Sequence, residues 1–179
     1  MTAQFRESIK IDGKEYGMAS EPLESLIAKE FSGSKEGFPE GYPVLAMTCT
    51  ANWRGYIGYW VIEDNQLWLV DVKSGDLVDG DDNIYVEVAQ NEFKRLDWRK
   101  TLFNHQQGNI KADWFTGQLV IEMGELIEYV HMGYSSQYEK YTLIDIEKGN
   151  VISKKTLSGE EYRPNHDYSD LITNHKKNN

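Results

Sequence analysis

The chain of 179 residues carries a net charge of −10 and one cysteine, with 40% hydrophobic and 27% charged residues. One domain of that size buries roughly two-thirds of its unfolded surface, so neither disulfides nor a structural metal is required for stability. The charge excludes nucleic acid and anionic membranes as natural partners and favours a basic protein. The N-terminal segment has no signal-like apolar run and no stretch reaches the ~20 apolar residues of a membrane span, so the expected location is cytoplasmic.

Ser8 to Asp12 alternates polar residues with Ile9 and Ile11, and Asp12-Gly13 followed by Lys14 to Met18 predicts a hairpin with a tight type I′ turn. Ser20-Glu21-Pro22 then precedes Leu23, Leu26 and Ile27 at helical spacing. Ser20 reads as the cap and Pro22 as the first turn of a helix running to Phe31. Ser32 to Pro43, with three glycines and two prolines, is a loop. Val44 to Cys49 is an apolar strand, in which Cys49 is expected to be a buried, inert thiol.

Ile57 to Glu63 and Gln66 to Val72 form a second hairpin around Asp64-Asn65, and Ile84 to Val88 alternates as a further strand. Asn91 to Phe103 is read as a short helix. A third hairpin is expected from Gln118–Ile121 and Glu125–His131 around Met123-Gly124. A fourth follows from Tyr141–Glu147 and Val151–Thr156 around Lys148-Gly149-Asn150. The fold class is thus mainly β (α+β): an antiparallel sheet or partly open barrel of hairpins with one or two short helices. Residues 1–162 make a single β-rich domain, and 163–179 a polar tail expected to fray. Gly58–Glu63 with Leu67 echoes Gly117–Glu122 with Leu126, which similar hairpin punctuation explains as well as a repeat of about 59 residues does.

The stretch Ala112 to Glu139 is the most distinctive. Its Asp-Trp-Phe-Thr-Gly turn, Gly-Glu-Leu reversal and Tyr-Val-His-Met-Gly-Tyr strand end resemble those of a group of small bacterial β-rich proteins. The start of the β body (Asn52 to Val72) and the opening hairpin through Leu23 are similar as well. The resemblance implies a fold and no particular activity.

His131, beside Tyr134, is the leading polar candidate, because an imidazole at a strand end can act as acid, base or ligand. A partly buried, backbone-bonded histidine is the competing reading. Asp113 and Trp114 would join it at the mouth of a ligand-binding barrel. The histidines lack zinc spacing and have no thiolate pair to help, so no metal or other cofactor is expected. Asp76, Asp79, Asp81 and Asp82 crowd one glycine-bearing loop, but without the twelfth-position glutamate of a calcium loop they read as a solvated acidic edge open to a basic protein. Nucleophile-elbow, phosphate-loop and dinucleotide fingerprints are missing.

Among the aromatics, Tyr56 and Trp68 are expected to face outward as an adhesive patch. These features favour a non-catalytic, acidic protein-binding module, of the kind that holds a basic bacterial toxin inactive as an immunity protein does. A small-ligand or enzymatic β-barrel with a site near His131 is the alternative, and a plain accessory subunit the third reading.

Overall fold

The computed structural model describes residues 2–30, 44–47, 49–75, 83–89 and 92–162. Among them the fold is mainly β, with three short helices. Strands β1 (Glu7–Ile11), β2 (Lys14–Met18), β4 (Ile57–Glu63), β5 (Gln66–Lys73), β8 (Ile110–Lys111), β9 (Gly117–Glu128), β10 (Gln137–Glu147) and β11 (Asn150–Ser158) form one sheet. Its order is β11-β10-β9-β2-β1-β4-β5-β8, and it curls until β11 meets β5 with Asn150 opposite Gln66. The β1–β4 pairing is parallel, and every other ladder in this sheet is antiparallel. A smaller sheet joins β3 (Val44–Leu45), β6 (Tyr85–Ala89) and β7 (Glu92–Arg95).

Three expected hairpins form, and their turns show why. Asp12-Gly13, Asp64-Asn65 and Lys148-Gly149 each hold both central residues at positive φ, between 46° and 78°. That is the type I′ geometry, whose twist matches that of the flanking strands. The curled sheet is filled by Ile9, Met18, Trp60, Leu67, Leu69, Leu119, Ile121 and Ile144, all but fully buried. Leu23 and Ile27 of the α1 region (α1, Glu24–Glu30) join this core.

Several expectations are corrected. The reversal at Met123-Gly124 does not occur, and β9 runs straight through it. Gly124 alone has positive φ (76°), whereas the tight reversals need it at both central residues (type I′) or at the first (type II′), and here the first is Met123. Met123 stays opposite Lys140 and Leu126 opposite Tyr138, so the extra residue is absorbed as a β-bulge facing Glu139. The helix expected from Pro22 begins at Glu24, and Ser20 does not cap it. The Ser20 hydroxyl instead accepts from Val120 N–H and donates to Gln118 C=O, tying the chain after β2 to β9.

Asn91 to Phe103 divides into β7 and α2 (Trp98–Phe103). The helix starts only where Asp97 caps the Lys100 N–H at 3.1 Å, and it stops at Asn104 in the left-handed region. The strand expected over Val44–Cys49 keeps only Val44–Leu45, and Cys49 is exposed. A third helix, α3 (Gly159–Tyr162), was not anticipated. Ser158 and Glu161 cap it reciprocally, and Tyr162 stacks on Tyr141 with ring centroids 4.0 Å apart. The echoed segments are β4 and β9, which have unlike neighbours. Glu63 is exposed where Glu122 is buried. The Ser32–Pro43 loop, the acidic loop of Asp76, Asp79, Asp81 and Asp82, and the 163–179 tail lie outside the described residues.

Candidate interaction site

Alternation along β1 places Glu7 on the same inward face as Ile9 and Ile11, where its side chain has no exposure. A buried carboxylate requires partners. Oε2 accepts the Trp60 indole N–H at 2.8 Å, and Oε1 lies 2.9 Å from Arg54 Nη2. Gly58 leaves the necessary space, since a Cβ there would collide with the Glu7 carboxylate and the Trp60 ring. Burial nonetheless raises the Glu7 carboxyl to about 7, against the opposing pull of Arg54, the Trp60 N–H and the Gly58 backbone.

Arg54 is the hub of this end of the molecule. Its Nε donates to Glu7, Nη1 to the Tyr134 hydroxyl (2.7 Å) and to Glu21 (3.4 Å), and Nη2 to Phe5 C=O, while Nη2 also sits 2.9 Å from the Glu7 carboxylate as an ion pair. Four hydrogen bonds and the ion pair with Glu7 hold the guanidinium within the fold. The Tyr134 hydroxyl donates a short hydrogen bond to Glu21, and burial, foremost, pushes its ionisation upward.

On the outer face of the sheet, Arg6 grips Glu122 bidentately at 2.7 and 3.1 Å and lies over the rings of Tyr134 and Tyr138. One arginine thus takes the hydroxyl of Tyr134 while another covers its ring. Together they pin the 129–136 connection to β1. The Gly133 N–H donates to Thr2 C=O and the Gln4 N–H to Gly133 C=O, which completes the docking.

The structure brings together some of the candidate residues and separates others. Tyr134 and Tyr56 meet around Arg54. Tyr56 is fully buried under the guanidinium rather than facing outward, because it is drawn in toward Glu24 and Arg54. Trp114 donates to Pro22 C=O and packs on Trp60 and Phe103, as a wall of the core and not the rim of a mouth. Asp113 is exposed and pairs with Lys111 at 3.4 Å. Trp68 is half-buried on β5, opposite Val61 and Lys111. His131 is on the 129–136 connection rather than in a strand, exposed, with Nδ1 3.0 Å from the Tyr129 hydroxyl. Among the described residues no three His, Cys, Asp or Glu side chains gather as a metal ligand set. No helix among them is long and apolar enough to cross a membrane.

A groove of about 620 Å³ lies between the end of β5 and α2, lined by Asp71, Lys73, Arg95, Asp97, Trp98 and Arg99. Its charges are of both signs and several are engaged. Asp97 caps α2, and Arg99 donates to the carbonyls of Gln106, Gly108 and Val70.

Compared with family models, curated proteins and solved structures, the chain finds no match.

Beside the pinned connection lies an exposed apolar group. Leu126, Ile127 and Tyr129 are 48%, 57% and 61% exposed and are interspersed with Glu125 and Glu128 in the run Glu125–Tyr129. Trp53, itself half exposed, is tied to the 129–136 connection through Gln4, whose side-chain oxygen accepts the Trp53 backbone N–H while the Gln4 backbone N–H donates to Gly133 C=O. Sequence reasoning singled out Tyr134 and His131 here but missed Arg54, Glu7 and Arg6. The available signal was Glu7, a charge on the apolar face of a strand, which demands a counter-ion.

Proposed function

We propose that the protein is a non-catalytic, acidic binding module for a cationic protein, and that it holds a basic bacterial toxin inactive in the manner of an immunity protein. The observation that carries this reading is the exposure of Leu126, Ile127 and Tyr129 among the carboxylates of Glu125 and Glu128, on a chain of net charge −10. Exposed aromatic and aliphatic anchors within a polar frame are the usual composition of a binding surface. Complementary charge accelerates encounter with a cationic partner. The adjoining polar cluster supports the same reading, since Arg54 holds Tyr134 of the 129–136 connection in place through a structural hydrogen bond. The resemblance to small bacterial proteins adds the bacterial context.

The test uses the polypeptide encoded beside this gene. Expressed alone it should arrest growth, and coexpression with this chain should restore it. The purified pair should bind with an affinity that weakens as salt rises. A neighbouring product that is harmless and does not bind would sink the toxin-inhibitor reading.

A further inference from the structure

β9 is paired with β2 only at Gly17–Glu122 and Met18–Ile121. Past Glu122 the two strands part, and a cleft of about 180 Å³ opens between them, lined by Lys14, Tyr16, Met123 and Thr142. From Met123 to Glu128, β9 is paired with β10 on one side, and among the described residues no strand pairs with it on the other. Every residue from Gly124 to Tyr129 is exposed. An uncovered edge of this length presents main-chain N–H and C=O groups that a further strand satisfies, and natural proteins ordinarily block such edges.

We infer that this edge receives an extended, cationic segment of the partner as an additional strand. The inference rests on the binding-module reading and names where and how the partner is held. Charge decides the occupant. The edge strand carries Glu125 and Glu128 and no lysine or arginine; the Glu139 carboxylate lies against Gly124 beside Lys140, and Lys14 and Lys154 border the cleft on the β2 side, so the carboxylates concentrate at the Glu125–Glu128 end. An incoming strand with Lys or Arg at alternate positions meets these carboxylates. A second copy would set glutamates against glutamates, so the same charges discourage self-pairing. Leu126 and Ile127, both exposed, offer apolar anchors beside the added strand.

The experiment uses the full chain and a synthetic peptide of about ten residues alternating Lys and Val, roughly the length of a strand. Two controls go with it: the same peptide N-methylated at every second residue, and one with Glu in place of Lys. The Lys peptide should slow amide exchange at Gly124–Glu128, and the N-methylated and Glu peptides should bind at least about tenfold more weakly. Glu128→Lys should weaken binding by a similar factor with an unchanged urea midpoint. Binding of the Lys peptide with protection elsewhere, or equal binding of the N-methylated peptide, would overturn the edge and leave the cationic-partner reading standing. No binding of the Lys peptide while the neighbouring gene product binds also overturns the edge alone. Failure of both overturns both.

Discussion

Glu7 is buried without exposure and its carboxyl is raised from 4.5 to about 7, so it couples stability to pH. A carboxyl raised on folding contributes stability that is complete below pH 4.5 and is lost as pH climbs through about 7. The loss is at most about 3 kcal/mol. Burial raises Glu24 and Glu122 in the same direction. The urea midpoint should therefore fall between pH 4.5 and 7.5, and Glu7→Gln, which keeps an acceptor for Trp60, should flatten that slope. An unaltered slope would show that Glu7 is not the group responsible.

Cys49 gives a second residue-scale expectation. Being exposed, it should react with a thiol reagent in the native protein at a rate close to that in urea, and a native thiol protected about a hundredfold would contradict its placement. Its apolar neighbours suggested burial, but the β3 pairing ends at Leu45, before the thiol is reached. Arg54 was illegible for a different reason. Its partners Glu7, Glu21 and Tyr134 lie 47, 33 and 80 residues away, and no local pattern joins them.

Elements were legible wherever local chemistry alone decides them. Three hairpins follow from turn pairs able to hold two consecutive positive φ angles, and the alternation beside them fixes which face is buried. Gly124 broke the rule because a single left-handed glycine makes a bulge as readily as a reversal. Only the pairing of Met123 with Lys140 distinguishes the two, and that is a contact between strands.

The glycines also differ in what a side chain would meet. At Gly13 a Cβ finds open space, so Gly13→Ala should cost only the left-handed strain of about 1 kcal/mol. At Gly149 a Cβ would press on the Ala112 backbone at 2.9 Å, backbone that cannot swing away. Gly149→Ala should cost about 2 kcal/mol more than Gly13→Ala by chemical denaturation. Equal costs would refute the close approach of the β10–β11 turn to Ala112.

For the whole molecule, the mainly β class and the curling of the sheet were foreseen, while the strand order was not. The parallel pairing of β1 with β4 and the insertion of the β1–β2 hairpin between β4 and β9 depend on contacts across some 50 to 100 residues. No sequence pattern encodes such neighbours. At this scale the charge of −10 yields its own expectation. If the proposed cationic partner binds, its association rate should drop on the order of tenfold between low and physiological salt, while dissociation, set by the exposed apolar residues, changes little. A salt-independent association rate would remove charge from the account.

The sheet also has a seam. Where it rejoins itself, Leu67 N–H donates to Gly149 C=O and Val151 N–H to Asn65 C=O, so two hairpin tips interlock like the halves of a clasp. Strands contributed early in the chain are thereby fastened to the last pair by a join only a residue or two long. Opening it would part the β10–β11 turn from β5 while β10 stays laddered to β9 and the β1–β2–β4–β5 body keeps its ladders. The amides of Leu67 and Val151 thus serve as built-in reporters of that opening, exchanging ahead of those in the middle of β4.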